Sequence, residues 1–149
     1  TNPLAYQRLK GSQKDTTKLY DYIYNVKPTV NELIEYGYKY DADILKIIQD
    51  FFKVKHSIKL QDIKIALSKL KFDKVIALVD EYATDGYVTD YELAYHKAIA
   101  EFRKVKLHRK TTTKEQKEQV LQELKNYRDT YQRKNILYDQ AIKDAIRKL

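Results

Sequence analysis

The chain has no cysteine, no tryptophan, only two prolines and only three glycines, with neither glycine nor proline after Gly86. Without cysteine there is no disulfide, no thiol nucleophile and no cysteine-ligated zinc, and the redox compartment is left open. No apolar run approaches the ~20 residues that a membrane-spanning helix needs, so the chain reads as soluble or peripheral. There is no signal-peptide pattern, and a start at Thr1 rather than Met is what a processed or trimmed form shows. Catalytic signals are equally scarce. No dinucleotide or phosphate-loop fingerprint is present, and Ser12, Ser57 and Ser68 lie in no nucleophile motif. His56, His96 and His108 are far apart in sequence. Glu92 and His96 stand four apart, a helical spacing that suits a metal, but no third ligand accompanies them. The chain therefore reads as non-enzymatic, with no cofactor.

What the sequence does have is positive charge and tyrosine. The formal net charge is +8, carried by 29 Lys and Arg against 21 Asp and Glu, and the 14 tyrosines outnumber the four phenylalanines. Tyrosine suits half-buried seams and interfaces, where the ring packs and the hydroxyl stays wet. The charge is uneven: residues 1–14 and 51–149 carry the surplus, whereas 15–50 are acidic. A basic balance favours polyanions, acidic proteins or anionic membrane surfaces as partners.

Apolar spacing gives the fold class: an all-α helical bundle of about six or seven helices. Residues 1–14 read as a basic flexible arm and 15–149 as a single helical domain. Asp15 to Asn25 fits a short helix ended by Pro28, and Thr29 with Glu32 forms a capping box for a second, stopped by Gly37. Tyrosines at 20, 22, 24 and 36, 38, 40 alternate with polar residues, which also allows a two-stranded ribbon. Asp41, with Asp43 beside it, reads as the cap of a helix through Ile44, Ile47, Ile48 and Phe51. The alternation from Val54 to Leu60 suggests a brief extended piece.

The centre of the chain is a helix–turn–helix over 73–105, hinged on Asp85-Gly86, with Asp73 capping its first arm and a Thr89/Glu92 capping box opening its second. Thr112 with Glu115 caps a long C-terminal helix from about 114 to 149, with a break at Asn135 as the other option. The 89–107 helix is expected to pack antiparallel against its first part.

The stretch Glu81-Tyr-Ala-Thr-Asp-Gly-Tyr-Val-Thr-Asp-Tyr-Glu92 resembles an EF-hand loop, with glycine at position six, valine at eight and glutamate at twelve. That resemblance implies calcium ligands at Asp85 and Glu92, set against Glu81 and Ala83 where the loop wants further oxygen donors. A capped turn is the competing reading.

The strongest functional feature lies between Glu101 and Glu115. Arg103, Lys104, Lys106, Arg109, Lys110 and Lys114 occur there with no carboxylate among them. The cations at 103–106 complement a helix C-terminus, whereas Lys114 sits at a helix start, where Thr111 to Thr113 and free N–H groups suit a phosphate. Lys53, Lys55 and Lys59 form a second acid-free run, and Arg8, Lys10 and Lys14 a third. The expected function is binding of nucleic acid or another polyanion through the 103–114 hairpin tip, helped by Lys53, Lys55 and Lys59, by phosphate neutralisation with little base reading. The alternative is a protein–protein adaptor for an acidic protein, or a homo-oligomer formed through the C-terminal helix and tyrosine-rich faces. A cytoplasmic, phage, mobile-element or virion setting fits either.

Overall fold

Helix boundaries follow the capping chemistry closely. The structure, a computed structural model, describes residues 16–37 and 42–149. Among these residues there are seven helices and no strand: α1 (16–26), α2 (Val30–Gly37), α3 (Ala42–Ser68), α4 (Phe72–Asp85), α5 (Asp90–Leu107), α6 (Lys114–Tyr131) and α7 (Ile136–Lys148). The all-α bundle expected from the spacing is the observed architecture. The basic arm, Asp41 and the tyrosines at 38 and 40 lie outside the described residues.

Several ends are closed as the sequence requires. Lys27 takes a left-handed φ of 52° and donates its N–H to the Ile23 carbonyl, so α1 stops before Pro28. Thr29 Oγ1 then accepts from the Glu32 N–H and donates to its carboxylate, opening α2. Tyr20, Tyr22, Tyr24 and Tyr36 are therefore helical, and the ribbon does not form. Other expectations shift. Residues 54–60 are not extended: α3 is continuous, because no breaker interrupts it and the alternating Val54 and Ile58 face solvent rather than a sheet. Asp73 lies in the first turn of α4 rather than at its cap. The box that opens α6 is Thr113 with Gln116, one residue later than the Thr112/Glu115 pair.

One helix over 114–149 is not formed either. Arg133 adopts φ 69°, and its N–H donates to the Asp139 carboxylate. Asn135 Oδ1 accepts from the Tyr138 N–H, so the missing beat at Lys134-Asn135 is a built turn between two capped helices.

The described residues gather into two compact units. The first contains residues 16–37, 42–58 and Asp85–Tyr87. Its core is Leu19, Leu33, Ile44 and Ile48, all essentially buried. Tyr22 stacks on Tyr36 with ring centroids 4.5 Å apart, and Tyr87 meets Phe51 and Phe52 edge-on. Gly86 belongs here: its φ is +80°, and a Cβ on it would lie 3.3 Å from Val30 Cβ.

The second unit contains 59–84 and 88–149, that is, the C-terminal part of α3 with α4 to α7. Its larger core runs from Ile63 and Val75 through Leu93 and Ile99 to Leu124 and Ile142. Tyr82 Oη donates to Asp62, and Lys104 Nζ reaches Asp73 at 2.6 Å, so α3, α4 and α5 alternate in direction. The six-residue α5–α6 loop forces α6 back along α5, as expected. Because α7 reverses again, it runs parallel to α5: Tyr138 stacks on Tyr95 at 3.7 Å near one end, and Lys106 Nζ donates to the Lys148 carbonyl near the other.

The Tyr95–Tyr138 end holds His96, 2% exposed, whose Nδ1 donates to the Glu92 carbonyl, fixing the tautomer. Burial lowers the His96 pKa against the raising effect of that hydrogen bond. Burial likewise pushes the Tyr138 hydroxyl up to about 12 and raises those of Tyr127 and Tyr95.

Candidate polyanion-binding site

The up-and-down order of the second unit puts alternate loops at the same end. The α3–α4 loop and the α5–α6 loop are neighbours, linked by the Asp73–Lys104 ion pair, and the last residue of α7 joins them through the Lys106–Lys148 hydrogen bond. This end collects the cations of three segments that are far apart in sequence: Lys69, Lys71 and Lys74 from the first, Arg103 to Lys114 from the second, and Arg147 and Lys148 from the third.

Within the expected tip the six cations divide by task. Lys104 is held by Asp73, an exposed pair worth well under ~1 kcal/mol. Lys106 caps the C-terminus of α7, which favours positive charge there. Arg103, Arg109, Lys110 and Lys114 are exposed and form no ion pair with a described residue. The threonines are less free than the sequence suggests. Thr111 and Thr112 hydroxyls donate to the His108 carbonyl at the end of α5, and the Thr113 hydroxyl accepts the Gln116 N–H. They build the turn, and the phosphate seat expected of them loses the hydroxyl donors of Thr111 and Thr112.

Lys59 does not assist this tip. Its ammonium lies 4.4 Å from the centre of the Tyr82 ring, late in α4. Asp73, which holds Lys104, is nine residues earlier on the same helix, or about 13 Å away at the helical rise. Lys59 therefore sits towards the opposite end of its unit, in cation–π contact with Tyr82. Lys53 and Lys55 belong to the first unit, where Lys55 lies over Phe51 at 5.5 Å. The cations that join the tip are instead Lys69, Lys71 and Lys74. Their sequence signal is weak: residues 63–72 are acid-free but hold only Lys64, Lys69 and Lys71, and Asp73 separates them from Lys74.

Neither residue picked out by the EF-hand resemblance is arranged as a loop ligand. The α4 helix continues through Asp85, so the first five positions of the supposed loop are helical. Asp85 Oδ1 accepts the Tyr87 N–H in a two-residue turn, and Glu92, 6% exposed, accepts the Thr89 hydroxyl at 2.5 Å. The described residues contain no group of three or more metal-ligating side chains. No protein-family model matches this chain, and no curated protein or solved structure is significantly similar to it. Among the described residues no helix is long and apolar enough to cross a membrane.

Proposed function

We propose that the basic end of the second unit binds a polyanion, with nucleic acid as the ligand that best matches its spread of charge. The observation that carries this reading is the meeting of the α3–α4 and α5–α6 loops, which adds Lys69, Lys71 and Lys74 to the unpaired Arg103, Arg109, Lys110 and Lys114. Two cations at this end have carboxylate partners, Lys104 with Asp73 and Arg147 with Asp144, but the cations outnumber the carboxylates, and phosphates would relieve the remaining repulsion while releasing condensed counterions. No helix offers a base-reading motif, so binding follows the phosphate backbone with little sequence preference.

The test is binding of labelled mixed-sequence DNA and RNA at about 50 and 200 mM salt. If about five phosphates are neutralised, affinity falls roughly 500-fold over that range. An Arg109→Glu/Lys110→Glu/Lys114→Glu variant removes most of it, and absence of binding at the lower salt overturns the proposal. A second reading, self-association, draws on Ile136 and Leu137 at the start of α7, which are 73% and 74% exposed. Sedimentation of the wild type beside Ile136→Ser/Leu137→Ser tests it, and a monomer at every concentration refutes it.

A further inference from the structure

We propose that the groove between the α3–α4 loop and the end of α5 docks an acidic peptide segment bearing an apolar side chain. The groove holds about 350 Å³, and its walls include Leu70 and Leu107 with Lys71, Lys74 and His108, while its one carboxylate, Asp73, is paired with Lys104. Both leucines are more than half exposed, at 57% and 58%. Lone exposed leucines are ordinary, but two that share one cationic groove form a mixed apolar and basic surface.

Leu70 carries the argument further. It ends α3 in a Schellman arrangement: its N–H donates to the Leu67 carbonyl and the Lys71 N–H to the Ala66 carbonyl, both at 3.0 Å. Its φ is 58°, the left-handed position that glycine or asparagine fills at no steric cost. A leucine there is disfavoured by its backbone and gains little from burial, so fold stability alone selects against it. Contact with a partner supplies a reason for it to be leucine.

Charge and shape select the partner. Lys71 and Lys74 line the walls, so carboxylates are attracted. A phosphate backbone presents nothing apolar to cover two leucines, and a bilayer is flat where this surface is concave. A peptide with carboxylates around one leucine-like side chain satisfies both features. Lys71 and Lys74 belong to both surfaces, whereas this inference needs Leu70 and Leu107 and the nucleic-acid binding proposed above needs Arg109, Lys110 and Lys114, so the two can fail separately.

The experiment titrates the full chain with a labelled 16-residue amphipathic peptide of Glu, Asp and Leu, beside a twin with Leu replaced by Ser, at about 150 mM salt. The leucine peptide is expected to bind about tenfold or more tightly than its twin, and Leu70→Gly/Leu107→Ser to erase that preference. Leu70→Gly suits the left-handed backbone, so loss of binding does not report misfolding, and circular dichroism checks this. The Arg109→Glu/Lys110→Glu/Lys114→Glu variant is expected to keep the preference. Equal binding of the two peptides, no binding of either, or an unchanged preference in the leucine variant overturns the proposal. So does leucine-dependent binding to phosphatidylserine vesicles without peptide binding.

Discussion

Replacing Tyr127 by Phe is expected to stabilise the second unit, against the usual direction for a core substitution. Tyr127 is 3% exposed, and its ring lies 5.4 Å from that of Tyr131 and 6.0 Å from that of Tyr95. Its hydroxyl is buried with no hydrogen-bond partner among the described residues, in surroundings that disfavour charge, since burial and the nearby Asp139 both raise its pKa. An unsatisfied buried hydroxyl costs about 1–3 kcal/mol. Deleting it leaves the ring and its contacts in place, and the small void left behind offsets a few tenths of a kcal/mol at ~24 cal/mol per Å³. The net gain is about 1 kcal/mol. For a urea slope of about 1–3 kcal/mol per molar, the unfolding midpoint rises by roughly 0.3–1 M. Far-UV circular dichroism in urea measures it, with Leu124→Ala as the comparator. That leucine is fully buried, and its truncation costs about 2–5 kcal/mol. A midpoint lowered by Tyr127→Phe would show that the hydroxyl is satisfied, and would refute the reasoning.

His96 gives a pH signature: its folded pKa is lowered, so the unfolded chain takes up the proton first. Stability is then intact above about pH 6.5, falls as pH drops below that value and levels off beneath the folded pKa; a His96→Gln variant, followed by thermal melts across pH 4–8, is expected to lose the His96 share of this slope. Gly86→Ala is expected to cost about 1–2 kcal/mol, because its φ of +80° disfavours a side chain and Val30 crowds the added methyl; urea unfolding reads the loss, and an unchanged midpoint argues against the strain. Asn135→Ala removes the α7 cap from the Tyr138 N–H and is expected to cost about 1 kcal/mol, seen as faster amide exchange in the first turn of α7.

Much of this architecture is legible in the residues, because capping is local chemistry. Thr29 with Glu32 and Pro28 with its preceding residues place helix ends to within a residue. The misreadings also have local causes. Val54 to Leu60 alternates, yet no breaker ends the helix there, and Val54 and Ile58 stay exposed while Leu60 packs on the core of the second unit. Thr112 and Thr113 are equally good caps by type, and Gln116 at the right spacing decides between them. The turn at Lys134-Asn135 rests on Asp139, whose contact with the Arg133 N–H no periodicity announces. For the site, the acid-free run from Arg103 to Lys114 is visible at once. Its neighbours are not: Lys71 and Lys74 reach it only because α4 and α5 run antiparallel, and Lys59 is excluded for the same reason. The apolar element, Leu70, looks in sequence like an ordinary core leucine, and only its backbone angle sets it apart.

The alternation of helix direction has a kinetic consequence. While lysines and arginines crowd one end of the second unit, Asp80, Glu81, Asp90 and Glu92 occur at the α4–α5 end, and at the α6–α7 turn Asp129 and Asp139 offset part of the charge of Arg128, Arg133 and Lys134. The unit thus carries a permanent electric moment along its helices. If the unit binds a polyanion as proposed, this moment turns it before contact so that the basic loops arrive first, and the rate of association depends on the charges at both ends.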